Sequence, residues 1–199
     1  MELVPVLAQE QKAQRRDNII RAAWRCAARK GFRELTIDEI CEEAGVSKGG
    51  FYGYFGSKEE LLVALLEDEA AGRLAIFQAL GEKSAGVERL QAFARAMLER
   101  AGDPAHVQVL ADLWATVGNQ GPVRDAFSAS ISARRSVLRE WIEEAVADEE
   151  LVDLPPNALA SILIALGDGL LLHAALDPSA FQWRNVRKVL LTLLEGVRR

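Results

Sequence analysis

The side chains best equipped for chemistry in this sequence are hydrogen-bond donors gathered between residues 36 and 58. They include Thr36, Ser47, Lys48, Tyr52, Tyr54 and Lys58. Thr36 and Lys58 stand at predicted helix N-termini, where free N–H groups and the helix dipole attract phosphate. Lys48 opens a short helix from which its ammonium can donate to guanine O6 or N7. These groups predict contact with a phosphate backbone and with base edges.

The two tyrosines allow more than one interpretation. Tyr52 and Tyr54 can donate hydrogen bonds to phosphates, which are the contacts that position a protein on a duplex. Tyr54 could instead pack into a core or bond between helices. Phe51 and Phe55 are expected to be core residues and not wedges between bases.

The sequence offers few parts for catalysis or for a metal site. It has no Gly-x-Ser-x-Gly elbow, no phosphate-cradling glycine motif and no His–Glu pair at helical spacing. His106, His173, Cys26 and Cys41 lack the spacing of metal ligands, and two cysteines are too few for a disulfide framework. No basic stretch leads into an apolar segment as in a signal peptide. We expect no enzyme, no metal and no cofactor, and a reduced, cytoplasmic protein.

The distribution of charge favours an anionic partner for the N-terminal part. The chain carries a formal net charge of −5, but residues 1–60 hold ten basic and ten acidic side chains. Within them, residues 1–33 hold eight basic and three acidic side chains, a local +5. A charge run is often only a solvated face. Here it adjoins the donor cluster, which raises its weight.

Positioning these donors requires a helix, a tight turn and a second helix. Thr36 and Glu39 form a predicted capping box that begins a short helix. Gly45 suits the turn because glycine adopts positive φ without steric cost. Ser47 then caps a helix that we expect to run to Phe55. This is helix-turn-helix geometry, in which the second helix lies in the major groove of DNA.

The rest of the chain also reads as helices. Apolar periodicity predicts a helix over residues 9–30, and a second capping box at residues 57–60 begins another long helix. Further helices are predicted near residues 87–101, 105–118, 123–147, 157–176 and 180–197, separated by Gly- and Pro-containing breaks. We therefore predict an all-α protein of about nine helices. A three-helix head occupies residues 1–57, and a C-terminal helical bundle for effector binding and dimerisation occupies residues 58–199.

The sequence around the predicted turn gives this geometry a more specific meaning. Gly31-Phe32, then TIDEICEEAGVSKGGFYGYF at residues 36–55 and SKEEL at residues 57–61, strongly resembles the TetR family of bacterial regulators. The match covers roughly residues 13–65, and LGDGL at residues 166–170 looks like the penultimate helix of one common subtype. The resemblance implies a transcriptional regulator, commonly a repressor released from a palindromic operator by a small molecule. It also implies that the six donors occupy DNA-contact positions, and we expect Gly49 and Gly50 to belong to the same DNA-binding surface.

The predicted recognition helix departs from the family pattern in its three glycines, Gly49, Gly50 and Gly53. Each interior glycine destabilises a helix by roughly 0.5–1 kcal/mol relative to alanine. Glycine also supplies no base contact. Either the backbone approaches DNA closely, or sequence readout depends on Lys48 and on DNA shape.

Residues 157–176 are more apolar than one core face requires, and the almost continuously apolar run over residues 159–176 approaches the length of a membrane span. Asp168 at the centre opposes insertion, since a charge at mid-bilayer costs roughly 2.5–3.5 kcal/mol. Because the last two helices of TetR-like proteins form a dimeric four-helix bundle, we predict a symmetric homodimer. The alternative is burial inside a monomer. The expected interface residues are Ile162, Leu166, Leu170, His173, Leu190, Leu193 and Val197.

An effector cavity in the C-terminal bundle is implied by the family more than by particular residues. The candidates for its wall are Phe93, Met97, Leu113, Trp114, Phe127, Ile131 and Leu166. Trp114 is the first choice because its large ring carries a donor N–H. The effector is expected to be apolar, and the long helix from Lys58 is expected to transmit its effect to the head. The alternative is a ligand-independent co-regulator acting through protein contacts, which a collapsed core would favour over a cavity of several hundred Å3.

Overall fold

The computed structural model describes residues 3–81, 86–100, 104–117, 121–177, 179 and 181–199. Within these residues the chain forms nine helices and no strand, which confirms the predicted all-α class. The helices are α1 (Leu3–Lys30), α2 (Ile37–Ala44), α3 (Lys48–Tyr52), α4 (Lys58–Gly81), α5 (Gly86–Arg100), α6 (Pro104–Val117), α7 (Gly121–Ala147), α8 (Pro156–Leu176) and α9 (Trp183–Glu195).

The head consists of α1, α2 and α3, and local capping explains its turns. Thr36 Oγ1 accepts the Glu39 N–H at 3.3 Å, and the Glu39 carboxylate accepts the Thr36 N–H at 2.9 Å, so the predicted capping box is present. Gly45 closes α2 with a φ of 65°, a conformation that glycine adopts without strain. Ser47 Oγ accepts the Gly50 N–H at 3.0 Å and begins α3. The helix-turn-helix prediction is confirmed.

The recognition helix α3 ends at Tyr52 and not at Phe55 as predicted. The N–H groups of Tyr54 and Phe55 both donate to the carbonyl of Phe51, at 2.9 and 3.0 Å. Sharing one acceptor tightens the final turn. Gly53 at this point is also a poor helix former, so the chain leaves the helix early.

Two other boundaries differ from the sequence prediction. α1 begins at Leu3, earlier than residue 9, and Pro5 is tolerated because the N–H groups of a first turn need no helical partner. At the start of α4, Ser57 Oγ accepts the Glu60 N–H at 3.2 Å, while the Glu60 carboxylate accepts the N–H of Gly56 at 2.7 Å. The second capping box is therefore displaced by one residue on its return bond.

Two hydrophobic clusters hold the helices together. The first joins the head to the body, since Phe51 belongs to the same cluster as Leu65 of α4 and Leu110 of α6. A polar contact reinforces this junction, because Asp112 of α6 accepts the Phe32 N–H at 3.0 Å. The second cluster lies within the body and is formed by α4, α5, α7 and α8, with the chain before α8. The head is thus anchored to α6 as well as to α4.

Helix α8 is the one helix in the described residues that is long and apolar enough to cross a membrane. Only 22% of the most apolar 18-residue stretch of this helix is buried within the chain. Asp168 near its middle pairs with Arg73 of α4 at 3.0 Å and with Arg134 of α7 at 3.1 Å. These ion pairs attach α8 to the protein body, and its other side lies at the surface.

Candidate DNA-binding surface and ligand cavity

The recognition helix is supported from behind by two aromatic rings. Phe51 is fully buried, and its ring centroid lies 5.6 Å from that of the buried Phe55. Both phenylalanines are core residues, as expected. The exposed positions of α3 are Lys48, Gly49 and Tyr52. They present one cation, one bare stretch of backbone and one phenol to solvent.

The ammonium of Lys48 is paired with the first turn of α2. Its Nζ lies 2.9 Å from Asp38 Oδ1, and both side chains are largely exposed. The Asp38 carboxylate raises the pKa of Lys48 above its usual value, so the lysine is charged at neutral pH. Contact with a base, if Lys48 makes it, would compete with this pair. Sequence reasoning missed Asp38, although an acidic residue in a first helical turn is favoured by the helix dipole.

The donors of Thr36 are engaged within the capping box. Its hydroxyl donates to Glu39 Oε2 at 2.7 Å, and its N–H donates to the same oxygen. Lys30 and Thr36 together hold the pKa of Glu39 at about 2, so this carboxylate is ionised at neutral pH. A phosphate at the start of α2 must either displace it or bind the neighbouring N–H groups.

Lys58 is half-buried and already bonded within the protein. Its Nζ donates to the Arg33 carbonyl at 3.1 Å and lies 5.0 Å from the centroid of the Phe32 ring. Burial lowers its pKa below the usual lysine value. The side chain fastens the start of α4 to the α1–α2 connection, and a phosphate contact would come in addition to these bonds.

The tyrosines and glycines differ in what the fold requires of them. Tyr52 is 48% exposed, so its hydroxyl is free to meet a phosphate, whereas Tyr54 is half-buried and packs against the first cluster. A Cβ at Gly49 would meet only Ser47 Oγ, at 4.0 Å, and one at Gly50 would meet the same atom at 3.3 Å. Nothing in the described chain therefore requires a glycine at position 49.

The basic surplus of the N-terminal part is only partly available to a ligand. Arg25 and Arg29 each lie 2.7 Å from a carboxylate oxygen of Glu43 on α2. Lys30 is likewise paired with Glu39. The positive surface is therefore reduced in the second half of α1, where carboxylates of α2 neutralise it.

Exposed cations lie along α1 on both sides of Asn18. Lys12 and Arg15 precede Asn18, and Arg21 follows it. Asn18 Nδ2 donates to the Ala44 carbonyl at 2.8 Å, so α1 passes the turn that precedes α3. These exposed cations consequently lie on α1 within a few residues of Asn18, where α1 contacts this turn.

An apolar cavity lies among α5, α7, α8 and α9. Three of the seven predicted wall residues line it, namely Phe93, Met97 and Leu166. The other four do not: Leu113, Trp114 and Phe127 belong to the first cluster, and Ile131 packs against the second. Helical periodicity marks all seven as inward-facing but does not tell which of two cores each one enters.

The cavity is narrow, with a volume of about 30 Å3. That is room for about one water molecule, so a larger ligand requires its walls to move. Trp183 at the start of α9 is the tryptophan of this wall, in place of the predicted Trp114. Met97, an unbranched and adaptable side chain, is a wall element that can yield.

A buried group of charges borders the cavity. Asp168 Oδ1 accepts from Arg73 Nη1 at 3.0 Å and from Arg134 Nη1 at 3.1 Å. Arg73 Nε also donates to Glu69 at 2.7 Å, and His106 Nε2 lies 3.4 Å from the other Glu69 oxygen. Removing a partner from such a buried group leaves an uncompensated charge, which is strongly destabilising. Sequence reasoning placed Asp168 in α8 but had no local signal for its partners on α4 and α7.

The face predicted for dimerisation is exposed in the single chain. Ile162, Leu166 and Leu193 are 60%, 38% and 61% exposed, and His173 is exposed as well. Leu170 and Leu190 are half-buried and line a surface groove of about 350 Å3 together with Leu166, Val189 and Leu193.

Val197 differs from the other predicted interface residues. It follows the end of α9 and packs against the second cluster, so the structure places it inside the chain and not on the exposed face. Val189 and Leu176, which were not predicted, are 58% and 75% exposed. In the sequence, the apolar spacing of α9 extends to Val197. The helix itself ends at Glu195, so Val197 does not share the exposed face of α9.

The two cysteines are buried in the first cluster. Burial raises the pKa of both the Cys26 and the Cys41 thiols, which keeps them protonated at neutral pH. Both therefore behave as small core residues. Among the described residues no group of histidines, cysteines and carboxylates is arranged to hold a metal ion.

A capped helix exposed behind a glycine turn and braced on a helical body defines the class of helix-turn-helix DNA-binding proteins. The sequence profile described as "Bacterial regulatory proteins, tetR family" matches residues 19–65. The profile described as "BetI-type transcriptional repressor, C-terminal" matches residues 86–199, more than half of the chain. This chain belongs to the TetR family of bacterial transcriptional regulators, which are not enzymes.

Relatives with known names support the same assignment. The transcriptional regulator AcuR of Cereibacter sphaeroides is 32% identical over 171 residues, which is 80% of this chain and 76% of AcuR. PksA of Bacillus subtilis is 28% identical over 196 residues, or 92% of this chain and 89% of PksA. The match to YerO of Bacillus subtilis is more local, at 46% identity over 54 residues, 27% of this chain and only 19% of YerO.

Solved structures share the fold. A putative transcriptional regulator from Pseudomonas aeruginosa PAO1 has a TM-score of 0.78 at 25% identity, over 93% of this chain and 90% of that chain. FadR from Bacillus subtilis, crystallised in complex with stearoyl-CoA, has a TM-score of 0.75 at 19% identity, over 89% of this chain and 96% of that one. The helical arrangement is thus the one these regulators use.

Proposed function

We propose that this protein is a homodimeric repressor that binds a palindromic operator and releases it when a small molecule enters the cavity among α5, α7, α8 and α9. The observation that carries this proposal is the pair of exposed surfaces on one chain. One surface is the recognition helix α3, and the other is the apolar face of α8 and α9. Because the operator is chromosomal, the proposal includes a cytoplasmic location.

Dimerisation is supported by the side chains that α8 and α9 leave uncovered. Ile162, Leu166 and Leu193 are exposed, and monomeric soluble proteins rarely expose a contiguous apolar face of this kind. A two-fold dimer covers the face with its own copy. It also places two recognition helices on one duplex, where adjacent half-sites lie roughly 34–36 Å apart.

Sequence-specific DNA binding is supported by the two kinds of exposed donor on the head, one for bases and one for phosphates. Lys48 is the one charged side chain of α3, so it is the base reader we propose. The exposed Lys12 and Arg15 of α1, together with Tyr52, supply phosphate contacts. Phosphate contacts dominate affinity and make it fall with salt, because condensed counterions are released.

The experiment is selection from a random duplex pool, followed by titration of the enriched and a scrambled duplex at several salt concentrations. We expect a palindrome to be enriched. Lys48→Ala should lose roughly 1–3 kcal/mol of preference at one base step. The matched variant Lys12→Ala should weaken both duplexes alike and lessen the salt slope by about one. A non-palindromic or absent consensus, or equal losses in both variants, would contradict the proposal.

A second candidate function is favoured by the small cavity volume. A cavity of about 30 Å3 is far below the usual scale of ligand sites. Such a small cavity favours a ligand-independent co-regulator that acts through protein contacts. A thermal-shift screen separates the two functions, since a true effector stabilises the folded state by mass action. If no compound raises the melting temperature while a protein partner does, the co-regulator is the correct function.

A further inference from the structure

The cavity wall is apolar except at one place, where Arg134 of α7 meets Asp168 of α8. The Arg134 side chain is only 6% exposed. Its Nη1 and Nη2 donate to the two Asp168 oxygens at 3.1 and 3.2 Å. Its Nε is buried and has no hydrogen-bond partner.

An orphan donor of this kind is unusual in a folded interior. Buried polar groups nearly always have a partner, and each exception calls for a physical reason. A guanidinium has five N–H donors and no acceptor, so only an acceptor can satisfy the remaining group. The orphan N–H belongs to a residue that lines the cavity, which is where such an acceptor would arrive.

We propose that the cavity takes an amphipathic carboxylate, whose hydrocarbon body lies against the leucine, phenylalanine and methionine wall and whose anionic group accepts from Arg134. The proposal rests on the ligand-released repressor proposed above and names the chemical class of that ligand. The planar guanidinium fork matches a carboxylate in geometry, which a lysine would not.

The neighbouring charges favour an anion over a cation. Asp168 already holds two guanidiniums, those of Arg134 and Arg73. A cationic headgroup near Asp168 would face both of them at short range. An anion would instead accept some of the N–H groups of Arg134 that now donate to Asp168, while Asp168 keeps its pair with Arg73.

This exchange reaches the DNA-binding head through contacts that already exist. Asp168 holds Arg73 of α4, Arg73 holds Glu69, and Glu69 contacts His106 of α6. The His106 ring stacks on Trp24 of α1, with centroids 5.5 Å apart. Drawing Arg134 away from Asp168 therefore alters a charge group that bears on both helices supporting the head.

The test compares three probes with one hydrocarbon tail: octanoate, octanol and octyltrimethylammonium. Each is titrated into the full-length protein by calorimetry. Octanoate should bind at least tenfold more tightly than octanol, and the ammonium should bind most weakly. Equal affinities, a preference for the cation, or no binding of octanoate would overturn the proposal, and this arm requires no mutant.

The variants locate the anion. Arg134→Met keeps an apolar stem but removes the guanidinium. The affinity for octanoate should therefore fall to that for octanol, and the affinity for octanol should stay unchanged. Arg124→Met, an exposed position on the same helix, is the matched control and should alter neither. The double variant Arg134→Met with Asp168→Asn also removes the carboxylate that would otherwise lose one of its two guanidinium partners, and the same loss of octanoate preference is expected. Retention of the octanoate preference without Arg134 would refute the assignment.

DNA binding is measured separately, so that the two proposals fail separately. Octanoate that binds through Arg134 but leaves operator affinity unchanged would confirm the ligand class and refute release by effector. Octanoate without any Arg134-dependent preference would refute the ligand class, whatever the protein does on DNA. By linkage, operator DNA must weaken an effector's binding by the same factor that the effector weakens DNA binding.

Discussion

Replacing Leu193 with glutamate is the most direct perturbation of the proposed dimer. Leu193 lies on the exposed face of α9 and lines the surface groove but not the ligand cavity. The predicted interface also includes Leu166 and Leu170, but both of these residues line the cavity, so their substitution would mix two effects. Because Leu193 is exposed in the single chain, Leu193→Glu should fold normally.

The size of the effect follows from the surface that Leu193 leaves open. Complete burial of a leucine contributes roughly 1.5–3 kcal/mol. Since 61% of the side chain is exposed in the single chain, covering it in a dimer contributes roughly 1–2 kcal/mol. A two-fold interface contains the residue twice, so the dimer loses roughly 2–4 kcal/mol. That raises its dissociation constant roughly 30- to 1000-fold, before repulsion between the two new carboxylates is included.

Sedimentation velocity over a concentration series measures this constant, and circular dichroism checks that the helices persist. Val152→Glu is the matched control, because Val152 is also an exposed apolar residue but lies outside α8 and α9. The control should dimerise and bind the operator as the unmodified protein does. If Leu193→Glu remains a dimer of unchanged affinity, the exposed face of α9 is not the interface and the reasoning from exposed surface is wrong.

Three further predictions concern the head and the buried charges. Gly49→Ala should raise the free energy of unfolding by roughly 0.5–1 kcal/mol in urea denaturation yet weaken operator binding, whereas Gly121→Ala, equally uncrowded, should leave DNA binding unchanged. Unchanged or tighter DNA binding by Gly49→Ala would mean that the backbone does not approach DNA closely there. Asp38→Asn should free Lys48 and raise operator affinity in anisotropy titrations, most strongly at low salt, and an affinity that stays the same would show that the pair does not compete with DNA. Asp168→Asn should lower the free energy of unfolding by roughly 3–5 kcal/mol, since it leaves the buried Arg134 guanidinium without its carboxylate, and a smaller loss than for an exposed aspartate would contradict that role.

The head could be predicted from sequence because its determinants are local. Thr36 and Glu39 cap α2, Gly45 turns the chain, and Ser47 caps α3, each within a span of a few residues. The exception is the early end of α3, which depends on two N–H groups converging on the Phe51 carbonyl. Residue type and spacing describe such short-range geometry well.

The cavity and the pairing of charges depend on long-range packing, which periodicity does not report. Trp114 and Trp183 are equally suited to a cavity wall by chemistry, but only the latter lines it. Lys58 similarly carries the residue type of a phosphate contact, and its ammonium is taken up by the Arg33 carbonyl 25 residues away in the chain. The spacing of apolar residues predicts which face of a helix is buried, but it does not predict which other helix covers that face.

Leu166, Leu170 and Leu190 line both the ligand cavity and the groove on the proposed dimer face. In the proposed dimer, one layer of side chains would therefore separate each bound ligand from the partner subunit. A ligand that moves this wall in one subunit changes the surface on which the other subunit rests, and hence the second cavity behind it. Ligand binding to the dimer should therefore be cooperative, in either sense, whereas the monomeric Leu193→Glu variant should follow a simple hyperbola.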